Sequence, residues 1–387
     1  MNRRGFLRWG CAHCALLYAT VADAQGAPSS SSWTPPPRFA PPDAGSDEGG
    51  LWATMAREEQ RLRRSPFLIR DDKLRDYLQG ILCRLAGQHC PDVRVYPVRN
   101  ANFNANMAPN GMMQIWSGLL LRMDNEAQLA AVVGHEIGHF LQRHSLERLR
   151  DAKSKSAASV VMLPFGLFGL VGQLALLASV YAYSREQERE ADTISVRLMS
   201  AAGYDSSQAS DVWDNLLAEL KARPNADAAT SSVLFASHPP SDERRDTLRT
   251  LGKAEGVKAE QAYREQMVAW QIEFLEDEIK RGQYPETIAL LDRKLTLEPQ
   301  RPDLLYARAE ARRLRAQDKD VDQALVDLKA ATATPDAPAQ AHRSLGLMLR
   351  ERKDAAGATA AFRRYLEVAP EAPDAGLIKT YLSELQT

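Results

Sequence analysis

The sequence predicts a mainly α-helical protein in which a globular domain with one small β-sheet precedes a solenoid of paired helices. Three observations predict this architecture. Apolar residues recur with helical spacing through most of the chain, residues 92–99 alternate apolar and polar positions instead, and prolines recur at regular intervals near the C-terminus. With 387 residues, 44% of them hydrophobic, the chain is long enough for two domains with buried cores.

The first 24 residues resemble an export signal peptide. Arg3 and Arg4 open a basic segment, an apolar stretch follows from about residue 9 to 21, and Ala-Asp-Ala at residues 22–24 has the pattern of a cleavage site. The run Arg-Arg-x-Phe-Leu is similar to a twin-arginine signal, with a general secretory signal as the alternative. We therefore expect the mature protein to leave the cytoplasm of a bacterium. Residues 25–50, rich in Pro, Ser and Gly, predict a flexible or extended linker.

Charge and cysteine usage agree with an exported globular protein. The formal net charge is -1, so nothing favours electrostatic binding of nucleic acid. Cys83 and Cys90 follow the signal, and an oxidising compartment favours a disulfide between them. Two separate thiols are the alternative.

A small sheet is expected directly before the central helix of the globular domain. Residues 51–85 have helical periodicity, whereas residues 92–99 alternate like a short strand. Residues 102–106 form a second extended piece. Pro-Asn-Gly at 109–111 is a turn signal, and Met112–Ser117 is the strand that returns from it.

The central helix carries the pattern His-Glu-x-x-His at residues 135–139. It is expected to begin at a capping residue near Asp124 or Asn125 and to continue to about Arg150. Residues four apart share a helix face, so His135 and His139 can both direct a ring nitrogen at one Zn²⁺. Glu136 is one position away, where its carboxylate can reach a water molecule on that ion and act as general base. The five-residue pattern alone is not specific, and a third ligand is required.

The most apolar stretch after the signal is 157–182. Its length and low charge allow a membrane span, but it is interrupted by Pro164 and by several glycines. Three arrangements stay open: a helix–loop–helix packed beside the cleft, a segment in peripheral contact with a membrane, and a true span.

Helices are expected again after this stretch. Residues 184–203 and 206–222 have helical patterns, and a loop is expected at 223–232. His238-Pro-Pro-Ser then leads into a helix that begins at Asp242.

The C-terminal third contains an internal repeat. Pro299, Pro335 and Pro370 recur at intervals of 36 and 35 residues, and a second proline series three residues later keeps the same intervals. Each interval holds two helical stretches, and Ala358-x-x-x-Phe362 before Pro370 resembles the second helix of a tetratricopeptide unit. We expect about three such repeats and a capping helix over residues 373–385, with an irregular helical bundle as the alternative. Stacked repeats of this kind bind extended peptides or partner proteins.

A catalytic zinc site needs three protein ligands and one open position. A downstream histidine in the pattern H-E-x-x-H-x-x-G-x-x-H is absent, because Gln142 and Ser145 occupy the two required positions. His144 lies nine residues after His135, which is half a turn out of register on a continuous helix. We therefore expect His144 to be a surface or supporting residue.

A carboxylate on a second helix is the other source of a third ligand. Residues 184–192 hold the dense acidic cluster, in which Glu186 pairs with Glu190 and Glu188 pairs with Asp192 on one helix face. Periodicity does not choose between the pairs, and a solvated charged face is the alternative to both.

Three motifs in order resemble the HtpX-type zinc metallopeptidases. They are His-Glu-Ile-Gly-His at 135–139, Ser-Arg-x-x-Glu-x-x-Ala-Asp at 184–192, and His-Pro-Pro-Ser-x-x-Arg at 238–244. With the export signal and C-terminal repeats, the chain is similar to the BepA-like periplasmic subgroup. The resemblance implies a zincin-like metallopeptidase domain over residues 51–255, followed by a tetratricopeptide-repeat domain over residues 256–387.

The resemblance also implies roles for individual residues. One Zn²⁺ per chain would be held by His135, His139 and Glu188, with Glu136 as the base. Asp192 would orient a ligand histidine. In the BepA-like group the histidine matching His238 is associated with occupying the open metal position, so His238 is expected to be a switch, a donor to the transition state, or both. A purely structural helix-start role for His238 is the alternative, and Arg244 is expected to brace its loop.

The resemblance implies an endopeptidase in quality control of outer-membrane or misfolded proteins. Its clients would be unfolded or misassembled proteins, and its repeats would dock on outer-membrane assembly machinery or on those clients. We further expect either residues 102–106 or Met112–Ser117 to be an open edge that pairs with an extended substrate, an internal strand being the alternative. A largely latent protease that acts as a chaperone or assembly factor is the alternative function. A membrane-embedded protease that uses residues 157–182 is a third.

Overall fold

The computed structural model describes residues 33–154, 183–223, 238 and 241–386. The predicted export signal, the apolar stretch 157–182 and almost all of the predicted loop 223–232 lie outside the described residues. Among the residues described, no helix is both long enough and apolar enough to cross a membrane.

Two capped helices begin the globular domain. Helix α1 (Asp47–Arg64) starts after Ser46, whose side chain accepts a hydrogen bond from the Gly49 N–H. Helix α2 (Asp72–Ala86) is capped in the same way by Asp71. The linker predicted at 25–50 therefore ends a few residues early, at the start of α1. A disulfide joins Cys83 in α2 to Cys90 in the following 3-10 turn (Gly87–Asp92), as predicted.

The predicted sheet has three strands: β1 (Arg94–Val98), β2 (Ala105–Met107) and β3 (Met112–Trp116). Their order is β1-β3-β2, with β1 parallel and β2 antiparallel to β3. All five residues of β3 are buried, as expected of a central strand. The prediction that Met112–Ser117 is an open edge is therefore wrong, because β3 pairs with a strand on each side. Strand β2, which overlaps the other candidate, lies at the edge.

Helix α4 (Glu126–Leu141) follows the short α3 (Ser117–Arg122) and carries the His-Glu-x-x-His pattern. Asn125 caps its first turn, as expected, by accepting from the Gln128 N–H at 2.9 Å. The helix does not continue to Arg150 as predicted. It ends at Leu141, because Arg143 takes a left-handed conformation with φ 59°, and helix α5 (His144–Ser154) starts in a new direction.

Close packing joins α4 to helix α6 (Arg185–Ala201). A Cβ added at Gly138 would lie 3.0 Å from the Ala191 Cα, and one added at Gly134 would lie 2.9 Å from the Ser195 Oγ. The two glycines thus allow the backbones to approach, and the Ser195 hydroxyl donates to the Ala131 carbonyl across the contact. This approach brings the acidic cluster of α6 up to the histidines of α4. Helices α7 (Gln208–Lys221) and α8 (Asp242–Leu251) complete the domain.

From residue 260 onward the described chain is helical, with short connections. The helices are Glu260–Met267 (α9), Gln271–Lys280 (α10), Tyr284–Leu297 (α11), Pro302–Arg315 (α12), Asp320–Thr332 (α13), Ala339–Glu351 (α14), Ala355–Val368 (α15) and Ala375–Glu384 (α16). Alternate helices from α12 onward begin at residues 302, 339 and 375, which are 37 and 36 apart. Each interval is one residue longer than the corresponding proline interval of 36 or 35 residues. Their identity as tetratricopeptide repeats stays a prediction.

Helices α9 and α10 pack directly on the globular domain. The Tyr263 hydroxyl donates to the Leu120 carbonyl at 2.6 Å, and the Trp270 indole N–H donates to the Asp71 carboxylate at 3.0 Å. Residues Arg38–Thr387 accordingly form one compact unit.

A buried cation strengthens this junction. The Arg122 guanidinium, 3% exposed, donates to Glu219 of α7 at 2.7 Å and to both carboxylate oxygens of Glu278 of α10, at 2.9 and 3.1 Å. It also donates to the Gly118 carbonyl at 3.0 Å. One side chain thereby ties α3, α7 and α10 together.

A second buried charge, Glu59 of α1, predicts a pH-dependent stability. Burial alone would raise its pKa, but hydrogen bonds from Arg94, Tyr96 and Arg63 outweigh burial and lower the pKa of Glu59 to about 2. A lowered folded-state pKa stabilises the fold above the unfolded value, and that stabilisation is lost as the pH falls from about 4.5 towards 2. We expect Glu59→Gln to lose about 2–3 kcal/mol at pH 7. In urea unfolding the difference in stability between wild type and Glu59→Gln should narrow to about half by pH 3 and nearly vanish towards pH 2. A difference that is constant with pH would contradict this account.

Candidate metal centre

Helix α4 places His135 and His139 one turn apart on the face that meets α6. Their Nε2 atoms are 3.1 Å apart, and both side chains are buried. Glu136, the residue after His135, is 2% exposed and lines a small cavity together with His135. The three predicted residues of this helix therefore converge on one point.

Helix α6 brings Glu188 to that point. Its two carboxylate oxygens lie 3.5 Å from the His135 Nε2 and 3.3 Å from the His139 Nε2. Asp192, one turn further, accepts at 2.9 Å from the His135 Nδ1. Of the two pairs that periodicity left open, Glu188 with Asp192 faces the histidines. The other pair does not, since Glu186 is exposed and Glu190 lies near His144 instead.

The spacing of these atoms fits a tetrahedral zinc ion. Ligand bonds of about 2.0–2.2 Å at tetrahedral angles place neighbouring ligand atoms about 3.3–3.6 Å apart. The three distances among His135, His139 and Glu188 are 3.1, 3.3 and 3.5 Å. Two imidazoles and one carboxylate are also a donor set that zinc prefers.

His238, predicted from the motif alone, joins the cluster as a fourth group. Its Nδ1 lies 3.3 Å from the His135 Nε2 and 2.8 Å from a Glu188 oxygen, and its Nε2 lies 3.6 Å from Glu136. The metal-binding atoms of all four groups lie within 4.8 Å of one another. The histidine thus lies in the same cluster as the three predicted ligands.

Arg244 holds the two carboxylates of α6 in place. It donates to both oxygens of Asp192, at 2.8 and 2.7 Å, and its third nitrogen lies 2.6 Å from Glu188. The guanidinium also stacks over the Trp213 ring at 4.3 Å. Ser241 starts the helix that carries Arg244 by accepting from its N–H. The structure therefore places Arg244 against the acidic cluster rather than only within its own loop.

The electrostatics of the cluster favour a bound cation. Burial would lower the pKa of His135, but the charges of Glu188 and Asp192 outweigh it and raise that pKa to about 9. Despite its burial, the carboxyl of Glu188 has a pKa well below its ordinary value, because His238 and His135 lie beside it. Burial holds the pKa of His139 well below the ordinary value and raises that of Glu136. A carboxylate with a raised pKa is a suitable general base near neutral pH.

Two further residues lie at the centre, and the second of them was not predicted. His144, expected to be a surface or supporting residue, is 2% exposed and places its Nδ1 2.9 Å from the His139 Nδ1. Its expected position assumed a continuous helix, and the left-handed residue Arg143 turns it back. Tyr183 stacks on the His139 ring, with 3.8 Å between ring centroids. Its only sequence signal is its position directly before the Ser-Arg-x-x-Glu motif.

A strand edge and an apolar cavity border the centre. The Trp116 N–H donates to the Asn104 carbonyl and the Ala108 N–H to the Met112 carbonyl, so alternation turns the main-chain groups of Ala105 and Met107 away from β3. Beside His135 and Glu136 lies a small cavity of about 30 Å³. Its apolar walls come from Phe103, Ala131, Val132, Ala209, Val212, Trp213 and Leu248.

Comparison with known proteins identifies the region that carries this centre. Residues 69–251 match the model of Peptidase family M48. The matched range contains every residue of the cluster described above.

Three curated relatives share parts of the chain. The beta-barrel assembly-enhancing protease of Escherichia coli (strain K12) is 28% identical over 208 residues, covering 47% of this chain and 42% of that protein. Metalloprotease YcaL of the same organism is 30% identical over 158 residues, 38% of this chain and 58% of that protein. The mitochondrial metalloendopeptidase OMA1 of Schizosaccharomyces pombe is 31% identical over 159 residues, 39% of this chain and 44% of that protein. The chain thus spans less than two thirds of each relative's length.

Proposed function

We propose that this chain, whose residues 69–251 match the model of Peptidase family M48, is a zinc-dependent endopeptidase that cleaves unfolded or misassembled proteins in the periplasm. One observation carries the proposal. His135, His139 and Glu188, which come from two helices about 50 residues apart in sequence, converge with the ligand spacing of a tetrahedral zinc site. We assign these three residues as the ligands of one Zn²⁺ per chain.

The remaining residues then have distinct tasks. When bound, zinc supplies Lewis acidity, which makes water acidic and a peptide carbonyl electrophilic. Glu136 takes a proton from the attacking water and passes it to the leaving amine, and its raised pKa suits both transfers. Asp192 holds the His135 ring through Nδ1, and Arg244 in turn holds Asp192 and Glu188.

His238 has a position suited to two roles. With its Nδ1 among the ligand atoms, it would occupy the fourth coordination position of a bound zinc ion and so exclude substrate. Moved outward by a few ångströms, the same ring can donate to the oxyanion that develops on the scissile carbonyl. We propose that it does both, in turn.

The substrate binds, in this proposal, as an added strand. The outward main-chain groups of Ala105 and the outward carbonyl of Met107 on β2 can pair with an extended polypeptide beside Glu136, which itself accepts from the Met107 N–H. Such pairing recognises backbone more than side chains, which suits unfolded clients. It also requires a segment without stable structure of its own.

The apolar cavity predicts a preference next to the scissile bond. Val132, which is half-buried at the cavity wall, can be enlarged without entering the ligand set. We expect Val132→Trp to reduce cleavage beside apolar residues by about tenfold, the scale of one or two buried methylene groups. Mass spectrometry of the products from one unfolded substrate measures this profile. Val132→Thr, of similar size, is the control, and an unchanged profile in the Trp variant would exclude this cavity as the subsite.

Metal removal tests the proposal as a whole. The purified mature protein should bind one equivalent of zinc and cleave a reduced, unfolded model protein. A chelator should abolish cleavage, and stoichiometric zinc should restore it. A chain that binds no zinc, or cleaves equally without it, is not the enzyme proposed here.

The proposed setting rests on the relatives and on the sequence. Two relatives are named for beta-barrel assembly or metalloprotease activity, and the N-terminus resembles an export signal. We propose that the clients are outer-membrane proteins that fail to assemble. The C-terminal helices would dock the enzyme on those clients or on the assembly machinery, as tetratricopeptide repeats do.

One observation favours the alternative function. His238 sits in the ligand cluster rather than beside it, which is the arrangement of a latent protease. A chain that is latent most of the time would act mainly as a chaperone or assembly factor through its C-terminal helices. A peripheral membrane contact through 157–182 is compatible with either function.

A further inference from the structure

His144 completes a chain of hydrogen bonds that begins at a zinc ligand. Its Nδ1 lies 2.9 Å from the His139 Nδ1, and its Nε2 lies 3.3 Å from a Glu190 oxygen. The rings of His139 and His144 are nearly edge-on, with an interplanar angle of 68°. The contact is fully enclosed, because His139 and His144 are each 2% exposed.

The direction of this chain follows from the proposed ligation. The His139 Nε2 faces His135 and Glu188, so it must be unprotonated to bind a cation. The single proton of the neutral His139 ring therefore sits on Nδ1 and donates to His144. His144 must accept at Nδ1, so it carries its own proton on Nε2 and donates that proton to Glu190.

Other side chains hold His144 in this arrangement. Arg143, with φ 59°, reverses the chain so that His144 returns to the helix it has just left. Tyr183 covers the His139 ring from one face, and its hydroxyl lies 3.1 Å from the Ser145 Oγ. Gln142 also contacts Glu190. A left-handed non-glycine residue costs conformational energy, so the sequence maintains this turn against a local preference.

We propose that His144 is a positioning residue for zinc: it fixes the tautomer and orientation of the ligand His139, with Glu190 as its own anchor. Asp192 does the corresponding work for His135, so each ligand histidine has a separate partner on its Nδ1. Partners of this kind usually contribute 10–100-fold to metal affinity. The inference rests on the proposed zinc site, and wild-type zinc binding tests that site independently.

Two amide substitutions separate this role from simple packing. Asparagine places its amide near the position of the histidine Nδ1, whereas glutamine reaches the position of Nε2. His144→Asn should therefore keep the acceptor for His139 and retain zinc affinity within about threefold. His144→Gln and His144→Phe should lose 10–100-fold, measured by competition with a chromogenic chelator. Thermal unfolding of the metal-stripped variants controls for loss of fold.

Zinc affinities of the wild type and the variants distinguish a positioning role of His144 from a packing role. If wild type binds zinc and the Gln variant binds as tightly as the Asn variant, His144 is only a packing residue anchored on Glu190, and the inference fails. If wild type binds no zinc, the proposed function fails first. As a second readout, nitrogen-15 NMR of the imidazoles in the zinc-loaded protein should report His139 protonated at Nδ1 and His144 at Nε2. The opposite tautomer of His144 would overturn the inference even if a variant did not fold.

Discussion

Glu136→Gln should lower the rate of peptide cleavage by at least about 10³-fold while leaving zinc bound. The glutamine amide has nearly the shape of the carboxylate, but it cannot accept the proton from the attacking water. The side chain is outside the assigned ligand set, so zinc content and unfolding temperature should stay near wild type. Single-turnover cleavage of an unfolded protein, with zinc measured in the same sample, gives both numbers.

The same variant distinguishes the two proposed functions. Cells that carry Glu136→Gln in place of wild type should show the outer-membrane defects of a deletion if proteolysis is the main function. Full complementation by this variant would instead assign the main function to the C-terminal helices. Residual cleavage above 10% of wild type would contradict the role of Glu136 as base.

Arg122→Met should destabilise the protein by about 3–5 kcal/mol. Methionine keeps much of the side-chain volume but leaves the carboxylates of Glu219 and Glu278 buried without their cation. The burial of Glu219 already raises its pKa, whereas Arg122 and Arg281 hold the pKa of Glu278 low. Without Arg122, Glu278 would retain Arg281 at 2.8 Å and Glu219 would retain Arg293 at 3.8 Å, so each buried carboxylate would lose much of its opposing charge. Urea unfolding of the mature protein, followed by tryptophan fluorescence, measures the loss.

An exposed ion pair provides the matched control. Arg75 of α2 contacts Asp72 and Asp76 at the surface, where all three side chains are about half or more exposed. Arg75→Met should change stability by less than about 1 kcal/mol. Equal effects of the two arginine substitutions would show that the buried network contributes nothing beyond a surface pair.

Local patterns were sufficient to predict most elements of the globular domain. The Asn125 cap, the Pro-Asn-Gly turn at 109–111 and the strands on either side depend on residues near them in sequence, so a single chain carries their signals. His135 and His139 of α4 could likewise be predicted from the sequence, because helical spacing alone places them on one face. Glu188 was different, because spacing allowed two acidic pairs and only the resemblance to a family distinguished them.

Two features could not be predicted, for different physical reasons. The end of α4 depends on a left-handed arginine, Arg143, which has no glycine or asparagine signature, so the expected helix ran on and His144 fell out of register. The partners of Arg122 lie 97 and 156 residues away in sequence. Forty-nine basic and fifty acidic residues offer far too many pairings for a sequence to single out that one.

Tyr263, Trp270 and Arg122 fasten the first C-terminal helices to the peptidase domain. A polypeptide bound further along those helices would therefore be held at a fixed distance from Glu136. An extended chain advances about 3.3–3.6 Å per residue, so that distance corresponds to a set number of residues. The position of cleavage would then be determined by the number of residues between the bound segment and the scissile bond, rather than by the side chains next to that bond. Lengthening the spacer of a tethered client should move the cut by the inserted length.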